Sequence, residues 1–115
     1  MAITESFSGS ATINSTEYDL PSGSTTVSAQ TTDGVYQLFL DLSNLTATES
    51  YHLKIYEKVQ SSGTQRVVDS TTISGVQTEP IYVTAALLLM HGWTYTLVKL
   101  QGTDRAIAYS IRQVA

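Results

Sequence analysis

Residues 51–59 read Tyr-His-Leu-Lys-Ile-Tyr-Glu-Lys-Val, which places Tyr51, Leu53, Ile55 and Val59 on one side of the chain and His52, Lys54 and Lys58 on the other. Successive side chains of a strand point to opposite faces, so this alternation describes a strand with one buried face. Ser61-Ser62-Gly63 then supplies a turn, and Arg66, Val67 and Val68 begin a return strand that runs to Ile73, making a hairpin. Upstream, Asp33-Gly34 signals a turn before residues 35–42. There Tyr36, Leu38, Leu40 and Leu42 share one face while Val35 and Phe39 occupy the other, so both faces read as partly buried. Downstream, 93–100 and 105–114 read as a second hairpin about Gln101-Gly102-Thr103-Asp104, setting Trp93, Tyr95 and Leu97 beside Ile107, Tyr109 and Ile111.

Shorter strands fit at 6–13, 16–20, 24–28 and 80–84, with Pro21-Ser22-Gly23 as a turn between the second and third. With about eight strands and almost no helical periodicity, the expectation is an all-β chain folded as an antiparallel β-sandwich, of jelly-roll or Ig/fibronectin-like type. A chain of 115 residues suits one domain, 1–115, in which 1–10 reads as an N-terminal arm ordered by a neighbour. The most apolar run, 85–90, fits either a helical turn crossing one end of the sandwich or a buried strand, and the crossing is the reading preferred here. Its side chains suit the core or subunit association.

Two tyrosines repeat a spacing. Tyr51 lies six residues after Leu45, and Tyr95 six after Leu89, the interval of a tyrosine corner, in which a phenol bonds to backbone at a sandwich end. Each hairpin also carries a related turn, Gly63-Thr64-Gln65-Arg66 and Gly102-Thr103-Asp104-Arg105, whose side chains suit local backbone bonding.

Composition narrows the function. Charged residues are 14% of the chain while Ser (14) and Thr (17) supply most of the polarity. There is no cysteine, which removes disulfides, thiolate zinc ligands and thiol nucleophiles. The N-terminus lacks the basic start and apolar stretch of a signal peptide, and no apolar run approaches a membrane span, so no membrane role is expected. Residues 1–53 hold six acids and no Lys or Arg; all six bases follow, among only four acids. That asymmetry suits head-to-tail contacts between copies, or nothing beyond drift. An acidic chain without a basic cluster does not suit nucleic acid.

No set of residues reads as a catalytic centre. His52 and His91 are not at metal-ligand spacing, the seven glycines form no phosphate loop, and the acidic pairs Glu17/Asp19 and Asp41/Glu57 come with no accompanying motif. The expectation is a protein that binds and is not an enzyme, with no cofactor and no metal. Phe7, Leu88, Met90 and Trp93 are the candidate partner-binding residues; Tyr18, Tyr56 and Tyr82 are further possible surface aromatics, and Tyr56, Tyr82 and Trp93 would mark a carbohydrate-binding module if they shared one exposed face.

The segments Asp33-Gly34-Val35-Tyr36-Gln37-Leu38-Phe39-Leu40-Asp41, Ile55-Tyr56-Glu57-Lys58-Val59 running into Gly63-Thr64-Gln65-Arg66, His91-Gly92-Trp93, Gly102-Thr103-Asp104-Arg105 and Ser110-Ile111-Arg112-Gln113-Val114 resemble the capsid decoration, or cement, proteins of tailed phages. The resemblance covers most of 33–114 and carries no functional-residue motif. It implies a structural virion protein, made in the host cytoplasm and placed on the capsid surface, which binds the major capsid protein as a homotrimer across subunit junctions. The alternatives are an adhesive sandwich module of a tail or fibre and a carbohydrate-binding module.

Overall fold

Alternation in the 51–59 stretch becomes a strand in which Tyr51, Leu53 and Ile55 are buried while His52, Lys54 and Tyr56 keep partial exposure. Val59 departs from the pattern and is 94% exposed, because the strand ends at Glu57, whose carboxylate turns back to accept from Lys58 N at 2.9 Å. The computed structural model describes residues 2–114. Among them are nine strands and no helix: β1 (Ile3–Ile13), β2 (Tyr18–Asp19), β3 (Gly34–Asp41), β4 (Ser50–Glu57), β5 (Arg66–Ser74), β6 (Ile81–Val83), β7 (Leu87–Leu89), β8 (Thr94–Gln101) and β9 (Arg105–Val114).

The strands form two antiparallel sheets packed as a sandwich. The first has the order β1-β9-β3, with β6 and β7 lying end to end along the far side of β3; the second has the order β2-β8-β4-β5. Trp93, Tyr36, Tyr51, Tyr95, Leu38, Leu40, Leu97 and Ile111 fill the space between them. Trp93 is central, with Tyr36 tilted against it at 4.2 Å between ring centroids and Tyr95 edge-on at 6.0 Å. Its indole N–H donates to Thr32 O at 3.0 Å, so the buried ring leaves no polar atom unmet.

The first hairpin forms as expected, with Gly63 N bonded to Gln60 O in its turn. The second does not. β8 and β9 belong to opposite sheets, and Gln101-Gly102-Thr103-Asp104 carries the chain over the end of the sandwich. Tyr95 and Leu97 thus face Ile107 and Ile111 across the core instead of lying beside them. Two apolar faces in sequence fit a hairpin and an arch equally; the arch buries both faces against each other. Gly102 takes φ 89° there, and a Cβ would stand 2.5 Å from Thr48 O.

Tyr51 pins this arch. Its hydroxyl donates to Thr103 O at 3.1 Å and accepts from Arg105 N at 3.0 Å, so it works as a corner whose backbone partners lie on the crossover. Glu49 stands beside it, buried, accepting from Arg105 Nε at 3.1 Å, from Thr46 N at 2.6 Å and from the Thr48 hydroxyl. Those hydroxyl and amide bonds, with Arg105, hold its carboxyl well below the usual range. The echo at Tyr95 is not a second corner. Its phenol is buried with no partner in hydrogen-bonding geometry, beside the Thr84 hydroxyl that meets Leu38 N and Ala85 O, and burial pushes its pKa up to about 12.

Three further expectations change. Residues 3–10, expected as an arm, belong to β1 and pair with β9 along their length; Met1 lies outside the described residues. Residues 24–28 make only the isolated bridge Asp19–Ser24 and no strand. The run 85–90 is not a helical crossing: Leu87–Leu89 pair with β3, and strand alternation buries Leu89 while leaving Leu88 and Met90 exposed.

Candidate interaction surface

Because Tyr36, Leu38 and Leu40 of β3 point into the core, Val35, Gln37, Phe39 and Asp41 point out of the first sheet. The register across the sheet aligns each of them with a neighbour of the same facing. Ile3, Val114, Val35 and Leu88 form one continuous row over β1, β9, β3 and β7. Phe39 lies between Ser110 and Val83 in a second row, and Asp41 between Ala108 and Ile81 in a third. Ile3 is 68% exposed and Leu88 83%, and Ile81, Val83 and Met90 are exposed as well. Open grooves separate the ridges, one of 490 Å³ between Leu88, Met90 and Val114 and one of 190 Å³ reaching from Ile3 to Ala86.

Charges on this face are few and locally answered. The Arg112 guanidinium lies 3.8 Å from the centre of the Phe39 ring and donates to Ser110 Oγ at 3.2 Å; that hydroxyl donates in turn to Glu5. Asp41 accepts from Ser43 N at 3.0 Å, and bonds from Ser43 lower its pKa despite a small opposing effect of burial. The surface is an apolar field in which Glu5 and Arg112 are joined through the Ser110 hydroxyl, and it suits contact with another protein surface.

The second sheet presents a different exterior. Its matching cross-strand row is Asp19, Thr96, Lys54 and Ser70. The segment after β1 covers part of it: Asp19 is buried and accepts from Ser22 N, Ser28 N and Thr94 Oγ1, while Glu17 accepts from Tyr56 OH at 2.6 Å and from the Thr96 hydroxyl. Burial opposes ionisation of Asp19, yet the donors from Ser22, Ser28 and Thr94 outweigh it and leave its pKa lowered. Burial, reinforced by Glu17, pushes the Tyr56 phenol up to about 12.

Of the four candidate partner-binding residues, Leu88 and Met90 lie together on the first sheet's side of the molecule. Phe7 is half-buried, its ring edge-on to Trp93 at 6.2 Å. Trp93 is fully buried at 0% exposure and offers nothing to a partner, because it occupies an inward position just before β8. Tyr82 packs against the core and Tyr56 is engaged by Glu17 on the opposite sheet, so Tyr56, Tyr82 and Trp93 share no sugar-binding face. Ile3, Val35, Phe39, Val83 and Val114 join the surface without being among those candidates. For Val35 and Phe39 the signal in the sequence is the second apolar face of residues 35–42; Ile3, Val83 and Val114 join it only through the register of the sheet.

Among the described residues no group of three His, Cys, Asp or Glu could hold a metal ion. A cavity of 20 Å³ lined by Leu53, Ile55, Tyr82 and Thr84 has room for about one water. No protein-family model, curated protein or solved structure matches this chain.

Proposed function

We propose that this protein is a structural, binding component of a tailed-phage particle, which decorates and stabilises the capsid by laying the outer face of the β1-β9-β3-β6/β7 sheet against the major capsid protein. The apolar row Ile3–Val114–Val35–Leu88 carries this reading. In water such a row is a standing cost, at roughly 25 cal/mol for each Å² of apolar surface a partner would cover. On the second sheet, by contrast, Asp19 and Glu17 are met by hydrogen bonds from the chain itself. The sandwich suits a rigid binder: Trp93 and the Tyr51–Glu49–Arg105 arch fix the core and one end, so docking orders little new chain. Many copies on a repeating shell make each modest contact count.

The test is sedimentation of the purified protein with expanded, empty shells assembled from the major capsid protein of the same phage. Saturable co-sedimentation, lost in Leu88→Lys with Val35→Lys, supports the reading. Protein that stays in the supernatant at every ratio overturns it.

A further inference from the structure

β1 is an edge of the first sheet, and its outer side pairs with nothing among the described residues. Natural edges are blunted by Pro, by charge, by shortness or by cover. The other edges here obey: β2 is two residues long, β6 and β7 are three each, and β5 carries Arg66 and Asp69 and faces a bulge in its pairing with β4. β1 is eleven residues long, lacks Pro, and has Glu5 as its one charge, already bonded by Ser110. From Ser6 to Ile13 it is uncharged, in a chain of net charge −4.

The strand is also close to symmetric about Ser8. Ile3 mirrors Ile13, Thr4 mirrors Thr12, and Ser6 mirrors Ser10. A second copy running antiparallel about Ser8 keeps a two-fold register, although away from the axis the residues that meet are not identical. The bulge between Glu5 and Phe7 takes Ser6 out of step. With that allowance, Ser8 faces Ser8, Phe7 faces Gly9, Glu5 faces Ser10 and Ile3 faces Thr12, and every pair agrees in which side of the sheet it points to. Phe7, half-buried in one copy, gains the backbone of Gly9 and the Tyr109 side chain that lies over it, its hydroxyl 3.1 Å and its ring 3.3 Å from where a Cβ would stand. An aromatic beside a strand glycine is a favourable cross-strand pair.

We infer that two copies of this chain join β1 to β1 about a two-fold axis at Ser8, making one continuous sheet across the dimer. Unpaired backbone groups on each edge supply the bonds, and no charge is brought together at the axis. The result is an isologous pair in place of the trimer that the resemblance implies. Because the axis stands perpendicular to the sheet, both apolar outer faces look the same way. That last consequence bears on the proposed shell binding, whereas the pairing itself does not depend on it.

The chain has no cysteine, so single substitutions give a clean readout. Directly opposed residues of an antiparallel pair have Cα atoms roughly 4.5–5.5 Å apart, inside the roughly 4.4–6.8 Å that a disulfide spans. The full chain is expected to run in light scattering at twice 12.5 kDa. Under mild oxidation Ser8→Cys should link into covalent dimers while Thr12→Cys, which faces Ile3, should not. Ser8→Lys, with two lysines opposed across the axis, should be monomeric with an unchanged circular dichroism spectrum and a melting point that no longer rises with protein concentration. A monomeric or trimeric wild type, equal linking of the two cysteine variants, or a Ser8→Lys dimer would overturn the inference.

Discussion

The two sheets of this sandwich follow the same alternation, yet their exteriors have opposite fates. Across the second sheet the row Asp19–Thr96–Lys54–Ser70 is polar, and the chain itself roofs part of it through Asp19, Ser28 and Glu17. Across the first, Ile3–Val114–Val35–Leu88 is apolar, with Ile3 and Leu88 exposed and the two valines between them half-buried. Inner faces are bound to be apolar by the core they share; outer faces are free to differ, and the difference separates a side covered by the chain itself from a side left apolar and uncovered.

Removing the roof should have the largest effect on folding. Asp19→Ala strips the acceptor from the buried Thr94 hydroxyl and from Ser22 N and Ser28 N nearer the surface, and should cost about 2–3 kcal/mol, read as a lower urea midpoint. An unchanged midpoint would mean the roof is decoration. Next come the two tyrosines of the repeated spacing. Tyr51→Phe loses both bonds to the arch and should destabilise by about 1–2 kcal/mol, whereas Tyr95→Phe removes a hydroxyl with no partner and should stay within about 0.5 kcal/mol or gain slightly. Equal losses in the two variants would contradict the assignment of one corner.

Acid should separate the regions further. Asp19 and Glu49 have folded-state pKa values below their ordinary 3.8 and 4.5, so the stability they contribute is complete above those values and is lost as pH falls through the folded ones. The urea midpoint should be level above about pH 5 and drop below about pH 4, with a shallower drop in Glu49→Gln. The smallest effect belongs to the bare face: Leu88→Lys should leave stability within about 0.5 kcal/mol, since nothing covers that side chain.

Alternation in residues 51–59 and 35–42 makes the strands, the buried face and the all-β class legible in the sequence alone. Connectivity is not legible in the same way, because pairing is a property of what lies beside a strand. Trp93, Tyr95 and Leu97 read correctly as one apolar face, but whether Ile107 and Ile111 sit next to it or opposite it depends on Gly102 and on the grip of Tyr51 and Glu49 on the arch. Trp93 reads as an anchor for the same reason that it is the centre of the core: a large aromatic fits both places. The apolar row is half visible in Val35 and Phe39. Its continuation to Ile3, Val114 and Leu88 requires the register of four strands, which no single stretch of sequence contains.

The most direct test of the bare face is the amount of protein that sediments with expanded capsid shells, compared between the wild type and Val35→Lys/Leu88→Lys at matched fold stability. The account predicts saturable binding by the wild type and loss of at least tenfold in affinity for the variant, about 1.4 kcal/mol. Equal binding by the two proteins, or none by either, would contradict it.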